Sequence, residues 1–405
     1  MINVKSISCL KNNYILIFFS ITFISAAMES GYYFLLPYLE GQGIAIGTLG
    51  GLAMGICYGV SLTARPFVPI LERYCFYNKI LLLGYAFFFL SAMGIALFTD
   101  TLYSAIIWRG FAGLGLSLVG VSLTAYERHF IPEEIRGQSI AFITIAYSLP
   151  SLVIVPPMEW LITNKMYTCY IFSFPVMLLV GTAIISKLPK LKAPPIYAPS
   201  KTEAESNLKI YIKLLKNRSV LLFITVSALF ALTDAGQLVF VQLASEKGVA
   251  ASYFFSISAG TALFLRFLCG KVLDMIPRRV YAVGAGAITA AMMLSATFAS
   301  TPLAFMLCGL VFGVGMGFGY PMLMCLVLDL GGEKYTTRLA VVFGLIYSGS
   351  FFVAPVLIEF TATLAGTATA AYRIIYGMIF IASLTLTLRS IKKYKKATQY
   401  TETEW

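Results

Sequence analysis

Three ionisable residues in otherwise apolar surroundings are where this chain could do chemistry. Glu29 stands inside residues 25–43, SAAMESGYYFLLPYLEGQG, and an echo of that stretch lies at 229–248. Glu29-Ser30-Gly31 is matched by Asp234-Ala235-Gly236, and Gly43 by Gly248, both at an offset of 205 residues. A charge at the centre of a membrane span costs from ~2.5 to well over 10 kcal/mol if it faces lipid, so each acid should face a watery cavity or be protonated. Such a carboxyl can take a proton from one side and release it to the other, or hold a cationic group. Arg109 lies near the start of a later apolar run. Its permanent charge can help a nearby carboxyl release its proton, or hold an anionic substrate. The plainer alternatives are helix-packing acids satisfied by a nearby amide or hydroxyl, and an arginine snorkelling to the outer interface.

The composition says what must position these groups. The chain is 59% hydrophobic and 12% charged, with a mean hydropathy of +0.83. Soluble domains carry roughly 25% charged residues, so the class is a polytopic membrane protein. The net charge of +12 sits in short loops between apolar runs, which fits membrane topology and argues against a nucleic-acid partner. Seven scattered cysteines (Cys9, Cys57, Cys75, Cys169, Cys269, Cys308, Cys325) show no metal-type pairing and read as small packing residues. The single histidine, His129, falls in an expected loop, which leaves no histidine relay in the membrane. No P-loop, Cys/His cluster or serine-nucleophile motif is present, so neither an enzyme nor a cofactor is expected.

Runs long enough to span as helices fall at about 14–38, 46–69, 79–98, 102–125, 138–161 and 167–187, and again at about 219–243, 251–271, 280–299, 303–328, 339–363 and 371–389. The start superficially resembles a cleavable signal, with Lys5 and Lys11 before 14–24 and Ser25-Ala26-Ala27. The apolar run continues through 32–39, however, and reads as a retained span. The expected domains are 1–187, a polar linker 188–217, 218–390 and a tail 391–405, with a surface helix at 208–215. Lysine and arginine are concentrated on one side of this alternation. The other side holds only Lys165, Lys247 and Arg373, so both termini should be cytoplasmic. Because each half has six helices, the two are related by an axis along the membrane normal.

Charges recur at the cytoplasmic helix ends. Arg65, Glu72, Arg73, Glu127 and Arg136 lie there in the first half, and Arg266, Asp274, Arg278, Asp329 and Arg338 in the corresponding places of the second. Glu127 and Arg136 are nine residues apart, as are Asp329 and Arg338. We expect ion pairs that close the cytoplasmic side in one state; the alternative is ordinary solvated loop charge. Glu159 and Glu359, near outer helix ends, read as interface residues. Tyr32, Tyr33, Tyr126, Tyr147, Gln237, Gln242, Tyr320 and Tyr347 are candidates to line a cavity, with aromatic faces suited to an amphiphilic or cationic solute. The Gly and Pro runs 110–120, 150–157, 313–321 and 344–355 would allow close helix crossing and bending.

Three local motifs resemble the major facilitator superfamily of transporters. Arg109-Gly110-Phe111-Ala112-Gly113-Leu114-Gly115 resembles its helix-four motif. Arg266, Gly270 and Asp274 followed by Arg278-Arg279 resemble its loop signature, and Ile131-Pro132-Glu133-Glu134-Ile135-Arg136-Gly137 resembles a loop of drug and solute exporters. The chain departs after helix two, where Pro69 and Arg73 replace the Gly and Asp of the signature and the acid is Glu72. The helix-five region keeps Pro150, Pro156 and Pro157 but lacks the glycines of drug antiporters. The resemblance implies an all-α membrane protein of 12 transmembrane helices in two six-helix pseudo-symmetric bundles. It also implies alternating access to a midplane cavity.

The expected function is export of a small organic solute by proton antiport, with Glu29, Asp234 and Arg109 as the proton and substrate groups. The alternative is proton-coupled uptake of a siderophore, sugar or metabolite. A non-transporting sensor or assembly partner is a different class, and the retained intramembrane acids argue against it. The expected partners are the solute, protons and the lipid bilayer. A monomer in a prokaryotic inner membrane is expected.

Overall fold

Inside hydrocarbon every backbone N–H and C=O needs a partner in its own segment, and the apolar runs of this chain meet that demand as helices. A computed structural model describes residues 13–132, 136–192, 214–268 and 278–402. The chain divides into two compact units, Met1–Tyr197 and Ala198–Trp405. Residues 193–213, and with them most of the expected surface helix, lie outside the described residues.

The first unit holds α1 (Asn13–Gly41), α2 (Gly47–Phe67), α3 (Tyr77–Leu97), α4 (Leu102–Phe130), α5 (Arg136–Val153 and Val155–Thr163) and α6 (Tyr167–Ile185). The second holds α7 (Arg218–Glu246), α8 (Ser252–Leu268), α9 (Arg278–Ala296), α10 (Pro302–Val327), α11 (Arg338–Ala365) and α12 (Ala368–Lys392). Ten stretches of these helices are long and apolar enough to cross a membrane, and the apolar part of α9, Val280–Ala296, is shorter. The protein is an all-helical integral membrane protein of the twelve-helix class.

Matching local devices start and pack the helices of each unit. Thr101 caps α4 by accepting from the Ser104 N–H at 3.3 Å, and Thr301 caps α10 by accepting from the Ala304 N–H at 3.3 Å. In the first unit α4 packs on α2 and α3, and α1 on α5 and α6. In the second α10 packs on α8 and α9. The glycines of the helix-four motif explain the closeness. Gly113 stands against the Cys57 carbonyl of α2, and Gly313 against the Ser258 carbonyl of α8. Neither crossing leaves room for a Cβ.

The first helix of each unit is interrupted just past its acid. In α1 the α-helical turns end at Gly31, a 3-10 turn covers Tyr32–Phe34, and α-helix resumes at Leu35–Gly41. In α7 they end at Ala235, a 3-10 turn covers Gly236–Val239, and Phe240–Glu246 follows. Such a change of hydrogen-bond register puts backbone carbonyls in need of other donors. A tyrosine of the last helix in each unit supplies one. Tyr170 of α6 donates its hydroxyl to Gly31 O at 3.0 Å, and Tyr372 of α12 donates to Gly236 O at 2.7 Å. Beyond the break, Gly43 (φ 79) and Gly248 (φ 64) close the short limbs in the left-handed region, which explains why glycine recurs there.

We expect Tyr170→Phe and Tyr372→Phe each to lower stability by about 1–3 kcal/mol, because a buried carbonyl loses its donor while the ring is kept. Thermal unfolding of the purified protein in detergent reads this. Two variants as stable as the parent would mean that water satisfies those carbonyls instead.

The loop expected between the tenth and eleventh helices is built of helical turns, within the element Pro302–Ala365. The element is nonetheless folded back on itself. The Tyr320 and Tyr347 rings lie 5.3 Å apart, whereas 27 residues of straight helix would separate them by about 40 Å. The first unit differs because Pro132 follows the end of α4, and a proline there stops helical continuation. The stretch 329–338 has no proline. His129, expected in a loop, lies in the last turn of α4, and Glu359 is buried within α11 rather than at an exposed interface.

Candidate functional site

The 3-10 break in α1 presents Glu29 and Tyr32 toward α4, and Arg109 of α4 meets both. Arg109 Nη2 lies 3.5 Å from Glu29 Oε2. The guanidinium carbon sits 4.4 Å above the Tyr32 ring. Tyr32 in turn stacks on Phe174 of α6 at 4.3 Å and an interplanar angle of 10°. The Cys57 thiol of α2 donates toward Glu29 Oε1 at 3.6 Å. Arg109 is fully buried, while the Glu29 side chain keeps 13% of its surface exposed. The pair therefore has a closed end at the arginine and an open end at the acid.

This geometry argues against a snorkelling arginine, because the Arg109 side chain has no exposed surface. It is also a loose pair. Strong charge-assisted N–H···O contacts run about 2.7–2.9 Å, and this one is 3.5 Å. Among the described residues Arg109 Nε and Nη1 have no hydrogen-bond partner. Two charges removed from water recover their desolvation cost only through close contact and further hydrogen bonds, so this pair is held by the surrounding fold more than it holds the fold.

The second unit places its acid differently. Asp234 Oδ2 accepts the Tyr347 hydroxyl at 2.8 Å, and Oδ1 accepts the Gln237 amide at 2.7 Å. Tyr347 meets Tyr320 edge-on at 5.3 Å and stacks on Phe351 at 5.8 Å. Arg266 of α8 lies within electrostatic reach of Asp234, Tyr347 and Tyr320. Equivalent acids thus accept hydrogen bonds from different groups: Glu29 from a guanidinium and a thiol, Asp234 from a phenol and an amide.

Several expected roles change on this geometry. Tyr32 does not line open space; it is fully buried as the floor under Arg109. Tyr126 is also buried, and its hydroxyl is committed to the Pro189 carbonyl at 2.8 Å. Tyr147 is exposed, and Tyr33, Gln237 and Tyr347 are half-buried. Arg266, expected at the cytoplasmic gate, belongs with the Asp234 group. Three contributors were not anticipated: Cys57, read from sequence as packing, Tyr170 and its counterpart Tyr372. The tyrosines share the 202-residue offset of Glu127 and Asp329, which is the signal that could have found them.

The remaining gate candidates are spread over helix ends. Arg65 sits half-buried in the 3-10 turn Arg65–Phe67, within electrostatic reach of Tyr147. Glu72 is buried in the short helix Val68–Tyr74, and that burial pushes its carboxyl above the ordinary carboxylate range. Glu127 is half-buried near the end of α4, Asp329 is exposed, and Arg338 is half-buried. For Arg73, Arg136 and Arg278 only the backbone is described, and Asp274 lies outside the described residues. No cluster of three His, Cys, Asp or Glu suited to a metal occurs among the described residues.

Comparison with known proteins places this arrangement. No curated protein matches the chain in sequence. Solved structures match its fold over nearly the full length. A POT family transporter in complex with 5-aminolevulinic acid aligns with a TM-score of 0.71 at 12% identity, covering 94% of this chain and 96% of that one. A D-xylose–proton symporter aligns at 0.67 and 16%, covering 92% and 96%. The xylose transporter XylE of E. coli, in an inward-open conformation, aligns at 0.68 and 12%, covering 92% and 94%. At these identities the likeness concerns the fold. The family model described as Major Facilitator Superfamily matches residues 18–355, and with the doubled six-helix arrangement above it identifies the chain as a member of that superfamily of secondary transporters.

Proposed function

We propose that this protein carries a small organic solute across the membrane by proton-coupled alternating access, with Glu29 and Asp234 as the groups that take up and release the proton. One observation carries the reading. Both acids stand at the same place in the repeat, each just before a 3-10 break, and both are held by side chains instead of facing lipid. An acid kept at that depth without a transport role would be a costly way to pack two helices. The gate charges at the cytoplasmic helix ends, Glu72 and Glu127 among them, are proposed to open and close access.

Export by antiport is the direction that the exporter-like loop at 131–137 favours. Uptake by symport is the second reading, and the likeness to a D-xylose–proton symporter favours it. Proteoliposomes with a trapped pH-sensitive dye test both. A proton gradient is imposed, cationic, neutral and anionic solutes are added, and Glu29→Gln is run alongside. The expected result is a solute-triggered proton flux that the variant loses; its sign relative to the solute separates antiport from symport. Solute flux with no proton signal would remove proton coupling, and with it the role given to Glu29.

A further inference from the structure

A guanidinium offers five N–H donors in one plane, and Arg109 spends one of them, loosely. Nη2 reaches Glu29 at 3.5 Å, and among the described residues Nε and Nη1 have no hydrogen-bond partner although the side chain is fully buried. Its plane is held by the Tyr32 ring 4.4 Å beneath it, which is backed by Phe174. The cation is fixed in place and under-used.

Resting on the transport reading above, we infer that Arg109 is the anchor for a carboxylate of the transported solute, which replaces the Glu29 carboxylate there as Glu29 takes a proton. The planar fork of arginine matches the two oxygens of a carboxylate. Glu29 already shows that a carboxylate fits this position. The approach is also defined: Arg109 has no exposed surface and Glu29 has 13%, so an incoming group displaces the acid to reach the base. Charge then stays balanced. Before exchange, Arg109 faces ionised Glu29; after it, Arg109 faces the solute carboxylate, and Glu29 is neutral with a proton from water on one carboxyl oxygen.

Among the described residues no other charge at the site disturbs this balance. The titratable groups facing the pair are Cys57 and Tyr58 from α2, Tyr32 from α1 itself and Tyr170 from α6. All four are neutral around pH 7 by their ordinary values. Binding of the carboxylate and of the proton therefore support one another. This linkage belongs to the binding step; the net direction of coupling also depends on what Asp234 carries.

The test uses matched probes, each a small organic carboxylate paired with its primary carboxamide, on the full-length protein. In detergent, thermal stabilisation gives affinity; in proteoliposomes, the trapped dye gives flux. Carboxylates should bind and carboxamides should not. Arg109→Gln should weaken carboxylate binding by about 10- to 100-fold, as expected for loss of a charge-assisted fork. Arg109→Lys, which keeps the positive charge beside Glu29 but loses the planar fork, should recover only part of it. Carboxylate affinity of the parent should tighten by up to about tenfold per pH unit as pH falls, and in Glu29→Gln it should lose that dependence. A merely structural arginine would not move the pH profile.

Carboxamides binding as well as carboxylates, or Arg109→Gln binding them unchanged, would overturn the anchor while leaving transport intact. So would a panel in which no carboxylate stabilises the parent. Absence of any flux would instead remove the transport reading, and the binding arm would still decide the anchor.

Discussion

Replacing Glu29 with alanine should cost about 3–5 kcal/mol of stability, and replacing Arg109 with alanine distinctly less, although the two residues form one ion pair. The asymmetry follows from what each partner can do alone. Left without Glu29, the guanidinium stays charged at any accessible pH, fully buried, with Tyr32 as its remaining support. A cation–π contact supplies about 0.5–2 kcal/mol and does not replace an anion. Left without Arg109, Glu29 has two remedies: it can bind a proton, or turn its carboxyl toward the side where 13% of it is already exposed. Thermal unfolding in detergent of the two single variants and of the double variant measures this. The double variant should be more stable than Glu29→Ala. A larger loss for Arg109→Ala than for Glu29→Ala would show that the buried end of the pair is not where the contacts place it.

Gly113→Ala and Gly313→Ala should each cost about 3 kcal/mol, the upper end of the usual range for overpacking. In both cases the obstacle is a backbone carbonyl of the neighbouring helix, Cys57 O or Ser258 O, which no rotamer change can move aside. The helix crossing itself has to widen. Gly120 in α4 and Gly344 in α11 have open space where a Cβ would go. There the same substitution should be neutral or stabilising by up to about 1 kcal/mol, since alanine favours helix over glycine. Unfolding temperatures of the four variants provide the comparison. A destabilised Gly120→Ala, or an unaffected Gly113→Ala, would contradict the packing described.

The amino-acid sequence reveals what depends on composition and on local order. The apolar runs give the helices because hydrocarbon leaves the backbone few other forms. The offset of 205 residues between Glu29 and Asp234 identifies equivalent acids, and Gln237 stands within one helical turn of Asp234, so that contact is readable. The Glu29–Arg109 pair is not. Eighty residues separate the two, and whether they meet depends on which faces of α1 and α4 turn inward. The 3-10 breaks are hidden for the same reason: the donors that satisfy their freed carbonyls, Tyr170 and Tyr372, come from the far end of each unit. The helical turns across 329–338 are hidden differently. The stretch lies between the apolar runs 303–328 and 339–363 and so reads as a loop, yet with no proline nothing forbids helical hydrogen bonding there.

The pairing of Glu29 with Arg109 has a consequence for how the protein is made. The acid is synthesised 80 residues ahead of its base. At roughly 5–20 residues per second, α1 waits about 4–16 s on the ribosome before α4 emerges. During that interval Glu29 has no arginine, and a hydrocarbon-facing carboxylate is too costly to persist. The nascent first helix therefore crosses into the bilayer with Glu29 protonated, or waits beside the insertion machinery until the fourth arrives. In either case the ion pair forms only once α4 has arrived, so the order of synthesis makes the first helix depend on the fourth for its partner.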